Sequence, residues 1–93
     1  MSSSKIGQTP VVSDLAVSVR KFILKQFPLA RHHQVKDSDP LLETGILDSL
    51  GVLEVVAFIE QEYSIHVSDD DLVLENFRSI DRIAAFILSR MKI

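Results

Sequence analysis

Apolar residues are concentrated in three separate stretches of this 93-residue chain. In the first stretch they form one stripe with a period of about 3.6 residues, made of Leu15, Val19, Phe22, Ile23 and Phe27. Ser13 is a suitable N-cap, Asp14 falls in the first turn, and Pro28 is expected to end the helix. The pattern therefore predicts an amphipathic first helix that begins near Ser13.

The second stretch begins after Asp48 and continues to about Tyr63. Almost every face of this segment is apolar, so periodicity alone leaves a helix and a buried strand both open. Its length, the Asp48–Ser49 pair at its start and its acidic residues favour a helix. A stripe of Val52, Val55, Val56 and Ile59 is expected to face the core. The other apolar side chains are expected to face neighbouring helices or a partner.

Two more helices are predicted in the C-terminal third. Ser68 stands three residues before Asp71, which is a weak capping-box signal for a short third helix. Ser79 is expected to cap a final helix with Asp81 in its first turn. Arg90 and Lys92 near its end suit the helix dipole. The apolar face of this final helix consists of Ile80, Ile83, Ala84, Ile87 and Met91.

These elements predict an all-α fold, a small four-helix bundle with three long helices and a short third helix. Residues 1–12 are polar and Ser-rich and are expected to form a disordered tail, so that one domain spans residues 13–93. A long loop from Leu29 to Asp48 joins the first two helices. Its apolar residues are expected to pin parts of it to the core: Leu41, Leu42, Ile46 and Leu47. So long a loop in a small domain is often functional.

The size and composition of the chain limit the classes of function that it can have. A domain of this size has little room for an enclosed pocket of roughly 300–1,000 Å³, which favours a carrier or binding module over an enzyme. The chain has no cysteine, and neither a secretory signal nor an apolar run long enough to span a membrane is visible in it. We therefore expect a soluble, cytoplasmic protein, and a monomer.

The charge is unevenly distributed along the chain. Eleven acidic residues and no Lys or Arg lie between Asp37 and Phe77, whereas the segments on either side are basic. Such an acidic block repels nucleic acid and attracts proteins that carry basic patches. A solvated surface that only keeps the protein in solution is the alternative.

The segment from Glu43 to Leu50, with the sequence Glu-Thr-Gly-Ile-Leu-Asp-Ser-Leu, carries the most information. Its Asp48-Ser49-Leu50 at the head of an apolar helix resembles the phosphopantetheine attachment motif of acyl carrier proteins. The likeness extends to the preceding loop, Asp39 to Gly45, and downstream to Val67, the acids Asp69 to Asp71, and Phe77, Ile80 and Ile83. It covers roughly Leu15 to Leu88.

The resemblance implies a bundle of the acyl-carrier type and a covalent 4′-phosphopantetheine arm on Ser49, with Asp48 and Leu50 completing the motif. The arm, installed from coenzyme A by a phosphopantetheinyl transferase, would supply the thiol that the chain lacks. Glu54, Glu60 and Glu62 match the acids through which the family docks its partners. Those partners would be loading ligases, synthases or acyltransferases with basic docking patches. A helix N-terminus also suits a phosphodiester physically.

Three positions depart from the carriers of general fatty acid synthesis. Gly51 and Val52 follow the motif where a polar or acidic residue is usual, and Phe58 is bulky where a small residue is common. These departures favour a specialised carrier, for a modified lipid, a polyketide or an activated amino acid. The apolar excess of the second helix leads us to expect that the arm and its cargo shelter between that helix and the final one.

Other functions fit the residues less well. A Gly-Asp-Ser-Leu esterase would need a His base placed around the serine, and His32, His33 and His66 do not stand in that pattern. His32–His33 lacks the spacing of a helical zinc site, and Asp69 to Asp71 lack the glycine and terminal Glu of a calcium loop, so no metal is expected. The remaining competitor is a helical docking module without a prosthetic group, which does not explain the Asp-Ser-Leu context.

Overall fold

The computed structural model describes residues 11–91. Within this range the chain forms four α-helices, two 3₁₀ turns and no strand. The helices are α1 (Val12–Gln26), α2 (Pro28–His32), α3 (Ser49–Tyr63) and α4 (Ile80–Arg90). The 3₁₀ turns are Asp69–Asp71 and Leu74–Phe77. The all-α prediction is therefore confirmed, with the predicted second and final helices appearing as α3 and α4.

The core lies where α1 and α4, the most closely packed pair of helices, meet α3 and the loops. Val19 and Ile23 of α1 and Val55 and Ile59 of α3 are fully buried. On α4 the predicted stripe is buried through its first four positions: Ile80, Ile83, Ala84 and Ile87. Because these side chains recur every three or four residues, one face of each helix is removed from water.

The end of α1 differs from the prediction. Pro28 does terminate α1, but it also begins α2, since proline is well suited to the first helical position. The guanidinium of Arg31 in α2 donates to the carbonyls of Leu24 and Lys25, which have lost their helical partners at the end of α1. At its other end, α1 begins at Val12 and Ser13 does not cap it, because the N-cap is Val11.

The connection from α2 to α3 is attached to the bundle. Leu41, Ile46 and Leu47 are buried, as predicted, and Leu42 packs against the core. The Leu41 N–H donates to the Arg78 carbonyl (2.7 Å), and the Asp81 N–H donates to the Asp37 carbonyl (3.0 Å). These bonds join the loop to the start of α4.

The predicted third helix is only a 3₁₀ turn. The capping box is present, because Ser68 caps the turn and the Asp71 carboxylate accepts from the Ser68 N–H at 3.0 Å. The turn does not extend, because the Asp71 carbonyl accepts instead from the Val73 N–H (2.9 Å) and the Asn76 side chain (2.8 Å). Asp71 also pairs with Arg90, which fixes the turn against the end of α4.

Candidate functional site

The start of α3 is built by Asp48 in the way the sequence predicts. Asp48 has extended backbone angles and its carboxylate accepts from the Gly51 N–H at 2.8 Å. Its carbonyl accepts from the Val52 N–H at 2.9 Å. Asp48 is therefore a true N-cap, and Ser49 is the first residue of α3.

Gly45 explains the turn that leads into this cap. Its φ is +79°, a conformation that residues with a side chain rarely adopt, and its N–H donates to the Leu42 carbonyl at 3.2 Å. Leu47 is buried two residues later, and its N–H donates to the Leu41 carbonyl at 3.0 Å. The chain is thus held on both sides of the turn, which sets where α3 begins.

Ser49 is exposed and its hydroxyl has no hydrogen-bond partner among residues 11–91. The backbone N–H groups of Ser49 and Leu50 also have none there, as is usual in the first turn of a helix. A phosphodiester on Ser49 would meet the positive end of the helix dipole and two free donors. The residues present therefore fit a phosphopantetheine group at this position.

The residues that follow Ser49 face in opposite directions. The Leu50 side chain is 70% exposed and Leu53, one turn later, is 55% exposed. Gly51 is buried, and a Cβ there would lie 3.0 Å from both the Leu47 Cδ1 and the Phe27 Cε1 atoms. A side chain at position 51 would therefore require Leu47 and Phe27 to shift, which favours the glycine found after the motif.

Phe58, another departure noted in the sequence, joins α3 to α1. Its ring stacks on Phe22 with 4.3 Å between centroids, and Tyr63 contacts Phe58 edge-on at 6.0 Å. Aromatic pairs of this kind add about 0.5–1.5 kcal/mol beyond the burial of their surface. The size of Phe58 is therefore explained by packing.

The expected inner stripe of α3 is partly correct. Val55 and Ile59 are fully buried, whereas Val52 and Val56 are half-buried. The other apolar side chains of this helix were expected to face neighbouring helices or a partner. Leu50 and Leu53 among them are exposed and give α3 an apolar outer surface beside Ser49. The exposed sector could not be located from the sequence because α3 is apolar on almost every face.

The three acids of α3 occupy different environments. Glu54 and Glu62 are exposed. Glu60 accepts a hydrogen bond from the Val67 N–H at 2.9 Å and lies 3.8 Å from the His66 Nδ1 atom. Glu60 therefore fastens the segment after α3 to the helix, while the carboxylates of the other two are presented to solvent.

A comparison with protein families shows which family the chain belongs to. The family described as "Phosphopantetheine attachment site" matches residues 19–87, which include the whole of α2 and α3 and most of α1 and α4. The chain belongs to this family. It is thus a carrier protein that bears covalent 4′-phosphopantetheine and serves modifying and acyl-handling enzymes without being an enzyme itself. The competing prediction of a docking module without a prosthetic group is set aside by this result.

A comparison with curated proteins gives no significant match. Over residues 11–91, no helix combines the length and apolar character needed to cross a bilayer. In the same part of the chain, no three His, Cys, Asp or Glu side chains come together as a metal site would require.

Proposed function

We propose that this carrier holds acyl or aminoacyl groups as thioesters on a phosphopantetheine arm attached to Ser49. The observation that carries the proposal is the exposed, unengaged Ser49 hydroxyl at an N-terminus capped by Asp48. The arm supplies a thiol, and the chain has no cysteine of its own. Ser49 is then an attachment point and not a catalytic residue.

In arm installation the Ser49 oxygen forms a bond to the phosphorus of coenzyme A that bears the pantetheine. The bond to the nucleotide part of coenzyme A breaks, and the serine proton passes to the transferase. The Asp48 cap leaves this hydroxyl accessible because the carboxylate is already engaged by the Gly51 N–H. The free N–H groups of the first turn can then stabilise the charge on the phosphodiester.

We further propose that Glu54, Glu60 and Glu62 dock basic patches of the transferase and of loading ligases, synthases or acyltransferases. The acidic block from Asp37 to Phe77 supports this, since it contains no Lys or Arg. Exposed ion pairs contribute only about 0–1 kcal/mol each, so docking through a few of them is weak and reversible. A carrier that must leave each enzyme benefits from such contacts.

The pathway we propose is a specialised one in the cytoplasm, serving a modified lipid, a polyketide or an activated amino acid. This proposal is supported by Gly51, Val52 and Phe58, which differ from the residues usual in the carriers of general fatty acid synthesis. The mass of the protein purified from its native host identifies the cargo directly. A cargo that belongs to general fatty acid synthesis contradicts this part of the proposal.

The attachment site is tested by intact mass after incubation with a phosphopantetheinyl transferase and coenzyme A. Wild type is expected to gain one phosphopantetheine, and Ser49→Ala none, with unchanged helical content because Asp48 still caps α3. Ser38→Ala, which alters another exposed serine, is the matched control and should be modified fully. If Ser49→Ala gains the same mass, Ser49 is not the attachment point.

A further inference from the structure

An open groove of about 400 Å³ lies beside the attachment point, between the junction of α1 with α2 and the first turns of α3. Phe27 and Leu29 form one side, and Leu50 and Gly51 form the other. Ile46 and Asp48, from the segment that leads into α3, also line the groove. The groove is open to solvent, unlike an enclosed small-molecule pocket.

The groove depends on the glycine that follows the motif. Because Gly51 has no side chain, the Phe27 ring can approach α3, and a Cβ at this position would lie 3.0 Å from its Cε1 atom. Two apolar side chains on opposite sides of the groove remain in water, Leu29 at 47% and Leu50 at 70% exposure. The groove therefore offers apolar surface that nothing in residues 11–91 covers.

The groove is continuous with the attachment point, because Asp48 and Leu50, the neighbours of Ser49 on either side, both line it. A group bonded to the Ser49 oxygen is therefore held next to the groove at high effective concentration. We propose that the groove receives the branched segment of the phosphopantetheine arm that directly follows the phosphate. This proposal rests on the attachment of the arm to Ser49.

The chemistry of that segment matches the residues present. It carries two methyl groups on one carbon, followed by a hydroxyl and an amide, and it is uncharged. The methyl groups suit Phe27, Leu29 and Leu50, whose exposed surface loses contact with water when they are covered. The side chains of Gln26 and Glu54, which also line the groove, offer hydrogen-bonding groups to the hydroxyl and the amide.

The charge of the groove favours this occupant over an anionic one. Its lining includes the carboxylates of Asp48 and Glu54 and no Lys or Arg. An acidic segment of a partner would be repelled there, whereas the uncharged part of the arm would not be. The placement also differs from the expected shelter between α3 and α4, because Phe27 and Leu29 belong to the α1–α2 junction.

The test compares the apo protein with the protein carrying the arm, by nuclear magnetic resonance. Mass spectrometry of fragments first establishes which residue carries the arm. We then expect nuclear Overhauser contacts between the methyl groups of the arm and the Phe27 ring and Leu29 methyls. Leu29→Gln should abolish the contact between the arm and the Phe27 ring, whereas Val17→Gln, which changes another exposed apolar residue, should leave it intact.

Three results overturn the proposal. If the chemical-shift changes caused by the arm are confined to Ser49 and its neighbours, the arm remains in solvent. If those changes cluster at Val52, Val56 and Ile83, the arm lies between α3 and α4. If Leu29→Gln slows arm installation but changes no contact of the arm, the groove belongs to a partner. In each case an arm on Ser49 leaves the proposed function standing. An arm on another residue overturns the proposed function as well.

Discussion

The carboxylate of Asp71 is buried, and within residues 11–91 it accepts hydrogen bonds from Ser68 and from Arg90 at the end of α4. The hydrogen bond from the Ser68 backbone N–H does most to lower the pKa of Asp71 below its ordinary value of 3.8, and burial opposes this. The Ser68 hydroxyl, the Arg90 guanidinium and the nearby His66 lower the pKa of Asp71 further. Asp71 is therefore an anion throughout the neutral range and holds the Ser68 turn to Arg90.

This lowered pKa predicts how stability depends on pH. Because the folded pKa lies below the unfolded one, the stabilisation by ionised Asp71 is present above about pH 4 and is lost as the pH falls through the folded pKa. Asp71→Asn should unfold at a lower urea concentration than wild type at pH 7. The difference in unfolding midpoint between the variant and wild type should become smaller in acid, where wild-type Asp71 also loses its charge.

The exposed neighbour Asp70 provides the matched control, since no hydrogen bond engages its carboxylate within residues 11–91. Asp70→Asn should follow the wild-type curve at every pH. If Asp71→Asn shows the same loss at pH 7 and in acid, its effect comes from altered packing and the charge of Asp71 is unimportant.

Among the elements, α3 carries both the proposed attachment point and the acids proposed for docking. Glu60 is half-buried and bonded to the Val67 N–H, so part of its interaction is already used within the protein. The carboxylates of Glu54 and Glu62 remain accessible to a partner. We therefore expect these two to contribute more to docking than Glu60, although all three add to the negative potential of α3.

Replacing Glu54, Glu60 and Glu62 together with glutamine should slow arm installation. The loss should appear mainly in the association rate and should shrink at high salt, because salt screens the attraction between separated charges. The measurement is the initial rate of transferase modification at several ionic strengths. Glu60→Gln alone should have the smallest effect of the three single changes.

A second triple variant supplies a control with the same change in net charge. Asp14, Asp69 and Asp70 are exposed and lie outside α3, so their replacement by asparagine should change the rate little. If both triple variants slow the reaction equally, net charge controls the encounter and α3 is not the docking element. If neither does, docking is not electrostatic.

Comparison of the helices with the predicted ones shows which sequence signals were sufficient to locate a helix start. Asp48 and Ser79 mark the starts of α3 and α4 as predicted, because each cap bonds an N–H within three residues and needs no distant partner. Proline at 28 was interpreted only as a stop, yet it equally begins a helix, and α2 was missed for that reason. The Ser68–Asp71 signal correctly predicted a cap, but a cap does not determine how far a helix continues.

The candidate site was likewise predicted only in part. The Asp48–Ser49 arrangement is local and could be predicted from the sequence. The burial of Gly51 against Phe27 and the bond from Val67 to Glu60 could not, because both depend on segments brought together only by the fold. The same holds for the groove, which requires the α1–α2 junction to meet the start of α3.

In the molecule as a whole, the segment before Ser49 is linked to the bundle at several points. Besides the backbone bonds of Leu41 and Asp81, an ion pair joins Asp37 to Arg20 (3.1 Å) and another joins Glu43 to Arg78 (3.4 Å). The first pair reaches α1 and the second reaches the residue before the cap of α4. The long connection thus has contacts with both helices of the closest pair.

These links have a consequence for amide hydrogen exchange. An amide that is bonded across the core exchanges only when the cooperative unit containing it opens. The Leu41 amide should therefore exchange on the timescale of the Ile83 amide in α4. The amides of Ser38 and Thr44 donate to no group in residues 11–91 and should exchange much faster. Equal exchange at Leu41 and Ser38 would show that the loop opens by itself. If the Leu41 amide is protected, the segment that leads to Ser49 loses its structure only when the domain unfolds. The position of Ser49 is then fixed before any enzyme binds.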